Sequence, residues 1–222
     1  MNSVWCFGDS MTAPLESDGQ YADWLGRNPK TYCDFIAEHF NFNSENKGIP
    51  GNSNYQIFDD FLANYKNIKS GDIVIFGWSP IMRYRLASYR NDSKSCIWKQ
   101  IVASSFIPEV EIGCVDGTFV TKEIAEQILL NRYEYRNFYS EEVNRWILFI
   151  KEWAELKSVK IINWSWCNKN FGGDHSINLD IADKKRPDMV DESDGLIKDG
   201  HYGEVGHKEL AKEIIEFLNK LL

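Results

Sequence analysis

A serine near the start of the chain lies where a nucleophile could act. The stretch Gly8-Asp9-Ser10 follows the apolar residues 4–7, which are typical of the end of a buried strand. Ligands of open α/β sheets bind beyond the carboxyl ends of the strands, so a serine at that point is well placed for chemistry. Its hydroxyl also needs a base within hydrogen-bond reach. The same three residue types are common in ordinary turns, so this stretch alone decides nothing.

The base must be one of four histidines. His201, in Asp199-Gly200-His201, lies just before the last helical pattern, and a loop position would leave its imidazole exposed. His207 falls within the first turn of that helix, where we expect it to cap or pack against the helix. His39 falls on a predicted amphipathic helix and His175 in a polar loop. The sequence therefore favours His201 as the base.

Strands and helices alternate along the chain. Apolar runs predict strands at 4–7, 73–76 and 159–164, and a short second strand is predicted at 43–47 without an apolar run. Helical spacing predicts helices at 31–40, 57–65, 121–135, 140–154 and 210–218. The unbroken apolar run at 73–76 suits a strand buried on both faces of a parallel sheet. We therefore expect an α/β fold, a three-layer α/β/α sandwich with a central parallel sheet.

The length predicts a single domain over residues 1–222. Residues 80–140 are aromatic and partly basic, and we interpret them as an insertion or lid with a hairpin around Val115-Asp116-Gly117-Thr118. Ser140 is the predicted N-cap of the helix that follows.

Charge and cysteine usage exclude several classes of protein. The net charge is −8 and there is no basic stripe, so we expect no nucleic-acid partner. The five cysteines are scattered without a Cys-x-x-Cys pair, so we expect neither a disulfide framework nor a zinc site. No apolar run approaches the roughly 18 residues of a membrane span, and the early first strand leaves no room for a leader. We expect a cytoplasmic protein, and the sequence does not indicate an oligomeric state.

Four short blocks together resemble the SGNH/GDSL hydrolase superfamily. In chain order they are Gly8-Asp9-Ser10, the glycine turn at Gly51, Gly77-Trp78-Ser79 after the strand at 73–76, and Asp199-Gly200-His201 before the last helix. Together, in this order and spacing, the four blocks indicate the superfamily far more specifically than any single block does. The resemblance implies the SGNH-hydrolase fold, which is flavodoxin-like, and GDSL-type serine esterase activity without a metal or organic cofactor.

The resemblance implies a catalytic triad. Ser10 would be the nucleophile and His201 the base, and Asp199 would hold the tautomer of the imidazole. In the family the acid usually lies three residues before the histidine, where this chain has Lys198. Asp199, at two residues, could still reach the imidazole from a loop, and Asp194 is the weaker alternative.

The resemblance also implies an oxyanion hole. The backbone N–H groups of Ser10 and Gly51 would be two of its donors. The third is normally an asparagine side chain, and this chain has Ser79 at that position. A serine hydroxyl can donate but is shorter, and Asn52 and Asn54 are alternative donors.

The substrate is the least determined part of the prediction. Family analogy and the aromatic insertion favour a short acyl ester, such as an O-acetyl group on a carbohydrate. Candidate substrate contacts are Asp9, Asn52 and Trp78, with Trp24 and Trp166 as further tryptophans near strand ends, although Asp9 could instead bond the amides of its own turn. Two alternatives are an O-acyltransferase that uses the same serine and a non-catalytic carbohydrate-binding or assembly protein.

Overall fold

The centre of the protein is a five-stranded parallel sheet. The computed structural model describes residues 1–14, 26–81, 83–89, 96–101, 127, 130–131, 134–166, 179–182 and 202–220. In chain order the elements are β1 (Ser3–Gly8), α1 (Tyr32–Phe40), β2 (Asn43–Asn46), α2 (Asn54–Asn64), β3 (Ile73–Trp78), β4 (Tyr84–Tyr89), β5 (Cys96–Ile101), α3 (Arg136–Lys157), β6 (Lys160–Ser165), β7 (Ile181–Ala182) and α4 (Glu204–Lys220). The sheet has the order β2-β1-β3-β6-β7, and every neighbouring pair is parallel.

This strand order confirms the predicted fold class. Counted along the chain within the sheet, it is the flavodoxin-like order, in which the second strand lies outside the first. Alternate side chains of β1 enter two separate cores, Val4 and Cys6 on one face and Trp5 and Phe7 on the other. Residues of α1 and α4 pack in the first core, and residues of α2 and α3 pack in the second. The sheet therefore lies between two helical layers, and β3 is buried along its whole length as predicted.

Local sequence explains where the first two helices begin. The Thr31 N–H donates to the Asp34 carboxylate at 2.8 Å, so an acidic side chain in the first turn binds a backbone donor at the start of α1. Ser53 precedes α2 and accepts a hydrogen bond from the Gln56 N–H. Helix α2 therefore starts directly after the glycine turn that contains Gly51.

The predicted insertion is described only in part. Strands β4 and β5 form an antiparallel hairpin that the sequence did not indicate, and the hairpin expected around Val115-Asp116-Gly117-Thr118 lies outside the described residues. Residues 127, 130–131 and 134 are helical. The prediction that Ser140 is an N-cap is wrong, because α3 already begins at Arg136 and Ser140 is buried within it.

Two further expectations concern the chain as a whole. The single domain with an insertion at 80–140 stays a prediction. Among the helices that the structure describes, none combines the length and the apolar character that crossing a membrane requires.

Candidate active site

The sheet topology brings Ser10 and Ser79 to one edge. The chain leaves β1 for β2 on one side and later returns as β3 on the other, so the topological switch point lies between β1 and β3. In folds of this type, ligands bind at that point, beyond the carboxyl ends of the strands. Gly8 pairs with Gly77 at the last position of the ladder, and each serine follows its glycine by two residues.

The two glycines make room for the turn that carries Ser10. A β-carbon on Gly8 would lie 2.0 Å from Thr12 Oγ1, and one on Gly77 would lie 2.5 Å from the same atom. The Thr12 side chain therefore packs directly on the ends of both strands. It accepts a hydrogen bond from the Tyr32 hydroxyl at 2.9 Å, and burial raises the pKa of that phenol well above its usual range.

Asp9 holds the backbone of this turn. Its Oδ1 accepts the Met11 N–H at 2.9 Å, and its carbonyl accepts the N–H groups of Thr12 and Ala13 at 2.9 and 2.8 Å. The expectation that Asp9 bonds turn amides is confirmed. Its carboxylate is fully buried, with Oδ2 bonded to Arg83 and to a tryptophan, which argues against the predicted contact with substrate.

The hydroxyl of Ser10 is shielded and unbonded within the described part of the chain. Its Oγ is inaccessible to solvent and has no hydrogen-bond partner among the described residues, and the Ser10 N–H donates to none of them. The predicted base His201, its acid Asp199 and the alternative acid Asp194 lie outside the described residues. Their roles therefore stay predictions.

A row of ring contacts links the start of α4 to the turn that carries Ser10. Tyr202, the neighbour of His201, is buried, and its ring centroid lies 5.9 Å from that of His207. The His207 ring lies 5.9 Å from Tyr32, whose hydroxyl binds Thr12. His207 is fully buried in the first turn of α4, which confirms that it packs against the helix.

The loop that contains Gly51 is attached to the end of β1. The Lys47 N–H donates to the Cys6 carbonyl at 2.7 Å, and the Ile49 N–H donates to the Gly8 carbonyl at 3.1 Å. Gly51 has a φ of 81°, a conformation that favours glycine. Its N–H donates to no residue in the described ranges, as the predicted role in an oxyanion hole requires.

Asn52 helps to attach this loop. Its Nδ2 donates to the Gly8 carbonyl at 3.3 Å and to Asp60 Oδ2 at 2.9 Å. An amide nitrogen carries two protons, so these bonds use both. The geometry therefore argues against Asn52 as a substitute oxyanion donor, and its predicted contact with substrate stays a prediction.

Asn54 holds the main chain of Ser79. The Ser79 N–H donates to Asn54 Oδ1 at 2.7 Å, and Asn54 Nδ2 donates to the Ser79 carbonyl at 2.9 Å. The Ser79 hydroxyl is buried and has no hydrogen-bond partner among the described residues. Asn54 therefore fixes the backbone that carries this hydroxyl. The sequence suggested Asn54 as a substitute oxyanion donor. Its position in the first turn of α2 gave no sign that its side chain would bind the backbone of Ser79.

The tryptophans at the strand ends are structural where they are described. Trp78 is fully buried, stacks on Phe76 and donates from Nε1 to Asn163 Oδ1 at 2.9 Å, which argues against the predicted substrate contact. Trp166 donates from Nε1 to Asp9 at 2.9 Å. Trp24 lies outside the described residues.

The structure gives no candidate metal centre in its described part. Within those ranges, no three His, Cys, Asp or Glu side chains are grouped so that they could hold an ion. The expectation that the site works without a metal or organic cofactor stays a prediction.

Comparison with known proteins gives a remote structural likeness. No family model matches the chain, and no curated protein matches it. A solved structure from Desulfitobacterium hafniense DCB-2, provisionally named a lipolytic protein of the G-D-S-L family, matches over 100% of both chains with 10% identity and a TM-score of 0.37. A likeness this low carries no argument about function, so the proposals below rest on the site itself.

Proposed function

We propose that this chain is a serine esterase of the SGNH/GDSL type, which hydrolyses a carboxylic ester through Ser10, His201 and Asp199. One observation carries the proposal. The Ser10 hydroxyl lies at the switch point of a parallel sheet, shielded from solvent and with no hydrogen-bond partner among the described residues. Buried hydroxyls are normally bonded, and one that is not is a candidate for a catalytic role.

The proposed reaction proceeds through an acyl-enzyme. Ser10 Oγ attacks the ester carbonyl while His201 takes its proton, and the imidazolium then protonates the leaving alcohol as the C–O bond breaks. Water next attacks the acyl-enzyme and loses its proton to His201. The imidazolium returns this proton to Ser10 Oγ as the second intermediate collapses, which breaks the acyl C–O bond and releases the acid. Asp199 orients the imidazole and stabilises its charged form.

The proposed oxyanion hole has three donors. They are the N–H groups of Ser10 and Gly51 and the hydroxyl of Ser79. The two N–H groups donate to no described residue, and the Ser79 hydroxyl is buried without a described partner. Asn54 holds the Ser79 backbone through two hydrogen bonds, which limits the motion of this donor. Donors fixed before the reaction stabilise the developing charge without a reorganisation cost.

We further propose that the acyl group is short, such as an acetyl group on a carbohydrate. This rests on the family resemblance and on the aromatic insertion at 80–140. The proposal of a cytoplasmic location rests on cysteine usage, and Cys6 and Cys33 are buried free thiols, which suits a reducing compartment.

Hydrolysis of p-nitrophenyl acetate, together with labelling by a fluorophosphonate probe, tests the proposal. The Ser10→Ala and His201→Ala variants should each lose several orders of magnitude in kcat/KM, and the double variant should be little worse than either, because triad residues act as a unit. The matched control is His39→Ala, which changes an exposed histidine on α1 and should leave activity unchanged.

The same assays separate the alternative functions. Labelling of Ser10 with little hydrolysis, together with acyl transfer to an added sugar, would identify an acyltransferase. Absence of both labelling and hydrolysis in the wild-type protein would overturn the proposal and favour a non-catalytic binding protein. Full activity in Ser10→Ala would show that another residue is the nucleophile.

A further inference from the structure

A buried group of charged and aromatic side chains adjoins Ser10. The Asp9 Oδ2 atom accepts hydrogen bonds from Arg83 Nη1 at 2.7 Å and from Trp166 Nε1 at 2.9 Å. The guanidinium carbon of Arg83 also lies 5.5 Å from the centroid of the Trp166 ring, within the range of a cation–π contact. We call these three residues the Asp9 cluster. The side chains of Arg83 and Asp9 are 11% and 0% exposed, so the ion pair is largely shielded from solvent and salt.

The Asp9 cluster joins the ends of β1 and β6 to the segment that follows β3. Asp9 directly follows β1, Trp166 directly follows β6, and Arg83 lies between β3 and the hairpin strand β4. The sheet places β3 between β1 and β6. The backbone hydrogen bonds between these strands end near Gly8 and Trp78. Beyond that point, the side chains of the Asp9 cluster hold the strand ends together at the edge where the candidate site lies.

The cluster also connects the two serines of the proposed site. Ser10 lies between Asp9 and Met11, and the Asp9 carboxylate binds the Met11 N–H, so both flanks of Ser10 are held. On the other side, the Arg83 N–H donates to the Pro80 carbonyl at 3.0 Å, which closes a turn directly after Ser79. One buried ion pair therefore bridges the turn of the nucleophile and the turn beside the proposed third oxyanion donor.

We propose that Arg83 is a positioning residue for the reaction of Ser10, because through Asp9 it fixes the spacing between Ser10 and Ser79. This inference rests on the proposed esterase function. A buried carboxylate that loses its cation is left with an uncompensated charge, and the hydrogen bonds that it makes to the turn must rearrange. A displacement of about 1 Å in a reacting group can lower the rate roughly 10²-fold.

Two substitutions at position 83 test this role. Arg83→Met keeps most of the aliphatic stem and removes the guanidinium, and it should lower kcat by about 10- to 10²-fold with KM nearly unchanged. The rate at which a fluorophosphonate probe labels Ser10 should fall in parallel. Arg83→Lys keeps a cation near Asp9 and should recover a large part of both rates. If Arg83 had only a structural role, Arg83→Met would lower the melting temperature without lowering kcat at a constant KM.

The matched control is Lys151→Met. Lys151, on α3, forms a partly buried ion pair with Asp180 at 3.1 Å, and this pair shares no residue with the Asp9 cluster. Its loss should leave kcat within about twofold of wild type. If Arg83→Met does not fold, Arg83→Gln replaces it, because this change also removes the guanidinium charge beside Asp9 and keeps a neutral polar side chain. It should lower kcat with KM unchanged.

Each outcome decides the inference. If wild type hydrolyses the ester and Ser10→Ala does not, while Arg83→Met, or Arg83→Gln in its place, reacts like wild type, the role of Arg83 is refuted and the proposed function stands. A rise in KM with kcat unchanged in Arg83→Met would also refute positioning, because it would mark Arg83 as a binding residue. An inactive wild type that no probe labels would overturn the proposed function together with this inference.

Discussion

The Ser79 hydroxyl offers a test in which stability and activity should change independently. It is buried and has no hydrogen-bond partner among the described residues. Ser79→Ala removes it and leaves both backbone hydrogen bonds with Asn54 in place. Since removing an unbonded buried polar group breaks no described hydrogen bond, we expect the free energy of unfolding to stay constant or to rise by up to about 1 kcal/mol. For a chain of this length, that corresponds to a rise in Tm of at most about 2–4 °C.

The same change should slow the reaction. If the hydroxyl donates to the oxyanion, its bond is stronger in the transition state than in the bound substrate, so kcat falls and KM changes little. Loss of one such donor should lower kcat by about 10- to 10³-fold, which corresponds to about 1.4–4 kcal/mol of transition-state stabilisation. Steady-state kinetics on p-nitrophenyl acetate and thermal melting of the same preparations measure both quantities. Ser79→Asn, which introduces the amide that is normal at this position in the SGNH/GDSL enzymes that the sequence resembles, should retain activity if the neighbouring side chains leave space.

Ser165→Ala is the matched control for Ser79→Ala. Ser165 is a buried serine at the end of the adjacent strand β6, and its hydroxyl donates to the Trp78 carbonyl at 2.8 Å. Because this bond is lost in the variant, Ser165→Ala should lower Tm with kcat nearly unchanged. The opposite result for Ser79→Ala, a lower Tm with kcat within about twofold of wild type, would refute the reasoning and leave a hole with two donors.

Two further predictions concern the start of α4. His207→Gln removes a buried ring that packs against Tyr32, so it should lower the free energy of unfolding by about 1–3 kcal/mol. The variant should keep at least about a tenth of the activity. If it were as inactive as Ser10→Ala, the base would be assigned to the wrong histidine. Hydrogen bonds from Arg27 lower the pKa of Glu204 in the folded protein. The stabilisation that they give is present above the pKa of this carboxyl in the unfolded chain, about 4.3, and is lost as pH falls through its pKa in the folded protein. Glu204→Gln should therefore lower Tm by about 1–3 °C at pH 7, and the effect is small because Arg27 is half-exposed. The difference in Tm between variant and wild type should vanish on acidification. A difference that does not depend on pH would contradict this prediction.

The sequence by itself determined most strands of the parallel sheet, the helices beside it and the place of the nucleophile candidate. Unbroken apolar runs and apolar residues at helical spacing report which residues enter a core, and they predicted β1, β3, β6 and the helices α1, α2 and α4. The turn chemistry of Gly8-Asp9-Ser10 is equally local, because Asp9 bonds a backbone amide two residues away. Strand β7 has two residues, too few to give a periodic signal.

Tertiary structure alone decided which distant residues hold the site. Asp9 and Arg83 are 74 positions apart, and Asp9 and Trp166 are 157 apart, so their contacts depend on strand order and register rather than on local spacing. Asn54 reaches Ser79 only because α2 packs beside the end of β3. Trp78 shares the face of Phe76, two residues earlier, and that face is buried beneath a helical layer, so a tryptophan at a strand end became part of the core. Local periodicity fixes the face on which a side chain lies, but only the packed sheet determines what lies opposite that face.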